Sequence, residues 1–232
     1  MRISKHVLAK NSKFETPYYI IDGELQGSTV MITAGVQGTE RAGFLSAKKL
    51  LEQLRSDVIH IRSGRLIIIP IVNRIAVRRR IRGVPDLNRT FPRRYGKRRA
   101  RHPLSRAVFR LAREQGPDWY VDLHEANGLF RIQPKALGQT LIVNPGSKVI
   151  PAAKRIIRRI NPSIKRRSRR FSLLQRKLPG SGRSAAYRLL HAKAITVETG
   201  IRLPLEERIR YQMKIVSSIL KEAGLIKTGD ES

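Results

Sequence analysis

There is no cysteine among the 232 residues, which excludes disulfides, thiolate metal sites and a cysteine nucleophile. Any metal must therefore rest on His, carboxylate or amide groups. No apolar run approaches the roughly 18 to 20 residues that cross a bilayer, so no transmembrane segment is expected. The first residues lack the apolar core and small-residue cleavage site of a secretory signal. A cytoplasmic location is the expectation, with non-classical export left open. Aromatic residues make up only 6% and do not interleave with the basic runs, which speaks against a single-strand stacking platform. Acidic residues are scarce as well: 17 Asp plus Glu stand against 48 Lys plus Arg, a net charge of +31. Ala126 to Val197 contains no acid but seventeen Lys or Arg, and Leu87 to Arg113 is also acid-free. Such runs are either a solvated surface or an anion-binding face for a nucleic acid, an acidic wall polymer or a membrane surface.

What is present points to a folded domain. A hydrophobic fraction of 41% argues against disorder, and the length suits one medium domain with a real core. Residues 17–22, 28–34, 119–123, 140–143 and 194–197 read as strands, and the run RLIIIPIV over 65–72 as a buried central strand. Helical spacing predicts helices over 40–55, 105–115, 149–160 and 205–223, while 73–101 reads as an irregular basic segment. Strands alternating with helices predict an α/β sheet covered on both faces. A single domain over 1–227 is expected, followed by a short polar tail at 228–232.

Polar residues just past the ends of buried strands are where such sheets place their sites. Gln37 and Glu40 follow the strand ending at Ala34, Asp122-Leu123-His124-Glu125 follows Val121, and Thr196-Val197-Glu198-Thr199-Gly200 follows Ile195. Asp86-Leu87-Asn88-Arg89-Thr90-Phe91-Pro92 lies in the irregular segment. Each is weak alone; Glu40, for example, could simply begin a helix. Glu198 ends the acid-free stretch, so its carboxylate is expected in a positive field and ionised at neutral pH.

In this order, GVQGTE, DLNRTFP, DLHE and VETG resemble the zinc carboxypeptidase superfamily, and most of all its succinylglutamate desuccinylase/aspartoacylase branch. The resemblance implies a single-domain, three-layer αβα fold with a mixed, mostly parallel twisted sheet. It also implies one Zn2+ per chain on Gln37, Glu40 and His124, with Glu198 as general base. Asn88 and Arg89 fall where that family grips a substrate carboxylate and polarises the scissile carbonyl; Arg80 and Arg82 compete for a further family arginine. Arg183 falls at the position that reads the substrate side chain, which implies an acidic group there, and Tyr187 falls on an aromatic position. The departure is Gln37, where the family carries His. Either the zinc has been lost, or the amide oxygen ligates, as in the Gln-Glu-His set of peptidoglycan D,L-carboxypeptidases. Three functions follow as expectations: a zinc carboxypeptidase acting on peptidoglycan peptides or another acidic substrate, a deacylase of N-acyl amino acids, or an inactive polyanion-binding module. That branch normally has a further C-terminal domain, and with only a short chain after Gly200 an open pocket is expected.

Overall fold

The computed structural model describes residues 1–93 and 100–227. The tail expected at 228–232 and most of the basic run between Arg93 and Arg101 lie outside the described residues. Eight strands form one sheet: β1 (Arg2–Leu8), β2 (Thr16–Asp22), β3 (Leu25–Ala34), β4 (Ser63–Ile69), β5 (Trp119–Ala126), β6 (Thr140–Val143), β7 (Ser172–Gln175) and β8 (Lys193–Gly200). Their spatial order is β1-β2-β4-β3-β5-β8-β6-β7. The centre, β4-β3-β5-β8, is parallel. On one flank β1 and β2 run antiparallel; on the other, β6 is antiparallel to β8 and carries β7 parallel to itself. The sheet is mixed with a parallel core, as the resemblance implies.

Side chains alternate across a pleated strand with period two, and here the alternation divides the core into two layers. Val30, Ile32 and Ala34 of β3, Leu66 and Ile68 of β4, and Trp119, Val121 and Leu123 of β5 face one helix layer. That layer is α1 (Arg41–Arg55), α4 (Ile150–Ile160) and α6 (Leu205–Glu222). Met31, Ile67, Ile69 and Tyr120 face the other, formed by α3 (Pro103–Gln115) and α5 (Gly182–Leu190). The short α2 (Arg74–Arg79) and a 3-10 turn at Leu87–Arg89 interrupt the segment expected to be irregular. Ile32 is fully buried near the C-terminal end of β3. Truncation of Ile32 to Ala is expected to cost about 2 to 5 kcal/mol, read as a lowered urea midpoint at constant slope; an unchanged midpoint would contradict this placement.

The site's position follows from the connections. From β3 the chain passes through α1 to β4 on one side, whereas β5 flanks β3 on the other side. The strand order therefore reverses at β3, and the crevice beyond the carboxyl ends of β3 and β5 is where such sheets bind ligands.

Candidate active site

Register brings the motifs together. In the β5–β8 pairing His124 lies directly beside Glu198, and in the β3–β5 pairing Thr33 lies beside Asp122. Period two puts Asp122 and His124 on the same face of β5. Gln37 and Glu40 emerge from the end of β3, where Gly38 allows the loop to lie on α2: a β-carbon there would come within 2.0 Å of the Ala76 carbonyl oxygen. Gly180, at φ +89°, likewise passes close to the Arg89 backbone, and Phe91 donates its amide to the Gly180 carbonyl at 3.0 Å. These contacts hold the DLNRTFP segment over the strand ends.

A cavity of about 250 Å³ results, and Gln37, Glu40, Asn88, His124, Arg183 and Glu198 all line it. The His124 Nδ1 and Glu40 Oε2 atoms are 2.7 Å apart. Both side chains are almost wholly buried. On its other edge, His124 Nε2 is 3.3 Å from the Asn88 amide nitrogen and 3.4 Å from Asp122 Oδ2. Asn88 in turn accepts the Gly182 amide, and Asp122 accepts the Thr33 hydroxyl at 2.6 Å. Gln37 donates its amide to Asp86 Oδ1 at 2.8 Å, and Asp86 also binds Arg82 at 2.9 Å. Burial pulls the Asp86 carboxyl up, but the Gln37 bond and the Arg82 charge outweigh it and hold it below its ordinary value.

The arginines separate. Arg82 and Arg89 line the cavity, joined by Arg176, which the sequence did not single out. Arg80 is exposed at the C-terminus of α2 in a left-handed conformation and is not among the lining residues. Arg183 is fully buried, not one more surface arginine. Its guanidinium donates to Asn144 Oδ1 and, at 2.9 Å, to the Arg176 carbonyl. Burial lowers it to about 10, against the pull of Asp122 and Glu198. Tyr187 instead lines a separate cavity with Arg188 and His191.

The field at Glu198 differs from the sequence expectation. Burial pushes its carboxyl up to about 8; Glu40 and Asp122 add to that, and His124 opposes it. The charges that act on it, His124, Glu40 and Asp122, come from distant parts of the chain, which a count along the chain cannot see. Burial lowers His124, but Glu40 and Asp122 outweigh it and raise the imidazole well above its ordinary value. Three buried carboxylates around one imidazole call for positive charge.

Zinc fits this donor set. A carboxylate and an imidazole nitrogen are donors zinc takes, and an amide oxygen is a weaker but feasible one. Glu198 Oε2 and Asp122 Oδ2 are buried without a hydrogen-bond partner. Among the described residues no three His, Cys, Asp or Glu form a metal-binding group; a third donor, if there is one, would have to be an amide such as that of Gln37. A divalent cation beside Glu198 would reverse the balance that raises its carboxyl.

The family model of the succinylglutamate desuccinylase/aspartoacylase catalytic domain matches residues 26–143, just over half of the chain. The chain belongs to this family. The matched part carries Gln37, Glu40, Asn88, Arg89 and His124; Arg183 and Glu198 lie beyond it. No curated protein is significantly similar in sequence to this family member. Among solved structures, the mDAP-bound D,L-carboxypeptidase Csd4 of Helicobacter pylori aligns with TM-score 0.73 and 20% identity, over 86% of this chain and 51% of Csd4. An aspartoacylase family protein from Mesorhizobium loti aligns with TM-score 0.67 and 22% identity, over 97% of this chain and 68% of that one. A succinylglutamate desuccinylase/aspartoacylase from Rhodobacter sphaeroides gives 0.68 and 20%, over 99% and 66%. The chain thus spans about half the length of Csd4, and these likenesses establish a shared fold.

Proposed function

We propose that this family member is a zinc-dependent hydrolase that cleaves an amide bond next to a free carboxylate, in the manner of a carboxypeptidase. The observation that carries the reading is the meeting of Glu40 and His124 at 2.7 Å in a cavity shared with Gln37 and the unpartnered Glu198. Gln37, Glu40 and His124 would hold the metal. Bound zinc supplies a Lewis acid that polarises a carbonyl and acidifies water. Glu198 takes a proton at Oε2 from the attacking water and returns it to the leaving amine nitrogen. Arg89 and Arg82 offer guanidinium donors to the oxyanion that develops on the scissile carbonyl. Asn88 and an arginine fork orient the substrate's terminal carboxylate.

A peptide with an acidic residue at its end suits the lining, since Arg183 is buried in the cavity wall. A guanidinium in a partly dry pocket forms charge-assisted bonds to a carboxylate and offers an amide much less. The mDAP-bound Csd4 makes peptidoglycan peptides the first substrates to try. Family membership favours a second reading, deacylation of N-acyl aspartate or glutamate.

Zinc content of protein purified without metal affinity, followed by product analysis on muropeptides and on N-acyl amino acids, tests the reading. Zinc-free protein whose only property is salt-sensitive binding of nucleic acid would instead support the inactive polyanion-binding module. Its surface would be the exposed Lys154, Arg158, Arg166 and Arg167. For Arg183, wild type is expected to prefer a substrate with a side-chain carboxylate over its amide, and Arg183→Ala to lose that preference. Equal treatment of the pair by wild type would remove Arg183 from the role.

A further inference from the structure

One buried acid at the edge of the cavity has no part in the proposed chemistry. Glu125 follows His124 on β5, so its side chain points to the opposite face, toward α1 and α6. Its side chain is wholly buried, and Arg208 of α6 pairs with Oε1. Oε2 accepts the backbone amide of Ala42 at 2.8 Å. Gln212, one turn beyond Arg208, donates to the His124 carbonyl and to Thr199 Oγ1, both at 3.0 Å.

Ala42 is the second residue of α1. A helix start leaves amides unpaired and carries a partial positive charge, and the side chain at the N-cap normally answers one of them. Here the N-cap is Glu40, whose side chain makes no capping bond, and the first turn of α1 contains no acid. Glu40's carboxylate is turned instead to His124 Nδ1. The missing cap arrives from the neighbouring strand.

We infer that Glu125 is a positioning residue: it caps α1 in place of Glu40, and so keeps the Glu40 carboxylate aimed at His124. The inference rests on the reading of Glu40 and His124 as metal ligands. Without Glu125, the acid nearest the open helix start is Glu40 itself, and turning back to cap its own helix would withdraw it from the cavity. A single strand pair, His124-Glu125, thereby fixes one donor with its first residue and orients another with its second.

The test compares three variants by zinc affinity in chelator competition, by the visible spectrum of the cobalt-substituted protein, and by amide exchange at Ala42 in metal-free protein. Glu125→Ala is expected to weaken zinc by about 10- to 100-fold, to alter the cobalt spectrum, and to speed exchange at Ala42. Glu125→Gln keeps an acceptor for the Ala42 amide and should restore affinity and spectrum. Arg208→Ala breaks the same buried pair and lowers thermal stability, yet leaves the cap in place and should keep zinc affinity. If Arg208→Ala loses as much affinity as Glu125→Ala, or if Glu125→Ala binds zinc like wild type, the inference is overturned. Should Glu125→Ala fail to fold, Glu125→Asn serves, since its shorter amide stays beside Arg208 but falls short of Ala42. A zinc-free wild type would sink the reading of the site as a whole, and unchanged Ala42 exchange in zinc-binding variants would sink only the capping.

Discussion

Replacing Glu198 by Gln is expected to reduce turnover by a factor on the order of 10² to 10⁴, the usual worth of a general acid–base group, while zinc content stays at the wild-type level. Glu198 sits beside His124 across the β5–β8 pairing, is 9% exposed, and has a buried Oε2 without a partner. A buried acceptor left open next to a cavity is costly, and it is also what receives a proton there. The amide of Gln fills the same space and cannot take that proton. Steady-state rates on the best substrate, with metal analysis of the same preparation, check this. Near-wild-type turnover by the variant would remove Glu198 from the chemistry.

His124→Ala is expected to abolish metal binding and to destabilise the protein together. The imidazole is the common neighbour of Glu40, Asp122 and Asn88. Removing it leaves Glu40 and Asp122, both almost wholly buried, without their imidazole partner. Breaking a buried pair in this way costs about 3 to 5 kcal/mol, so chemical denaturation and metal analysis should both respond. Full zinc occupancy in the variant would refute the ligand assignment. Gln37→His, by contrast, should retain or tighten zinc, because imidazole is the better donor.

The strands that build the site were legible because they are buried on both faces and read as continuous apolar runs. The elements that escaped are those with little burial to announce them. Only Leu8 of β1 is buried, β7 buries none of its four residues, and α2 buries only Ala76. Helix α5 escaped for another reason: its buried face is mostly Gly, Ser and Ala, with Leu189 and Arg183 among them, and a buried arginine reads as surface in a chain so rich in arginine. Motif order named Gln37, Glu40, Asn88, His124 and Glu198 as one set, and all five line one cavity. It could not choose between Arg80 and Arg82, because the choice depends on the left-handed turn at Arg80. Nor could it supply the charge around Glu198, since Asp122 and Glu40 reach it across strands and not along the chain. Asp86, which orients Gln37, lay within a quoted motif, but nothing in its spacing tied the two together.

The pairing of β5 with β8 has a consequence for how this chain can vary. His124 and Glu125 serve opposite layers of the molecule, one the cavity and the other the start of α1. Because side chains alternate with period two, a slip of one residue exchanges the two faces. Deleting any single residue between Trp119 and Val121 would therefore carry Glu125 into the cavity and turn His124 toward α1 and α6. Length changes in β5 are closed to this fold, whereas the loop from 127 to 139 lies downstream of both side chains and can lengthen without moving either. Diversity in what enters the pocket can be written in that loop and in the other segments that line it, but a length change in the strand would move both adjacent side chains together.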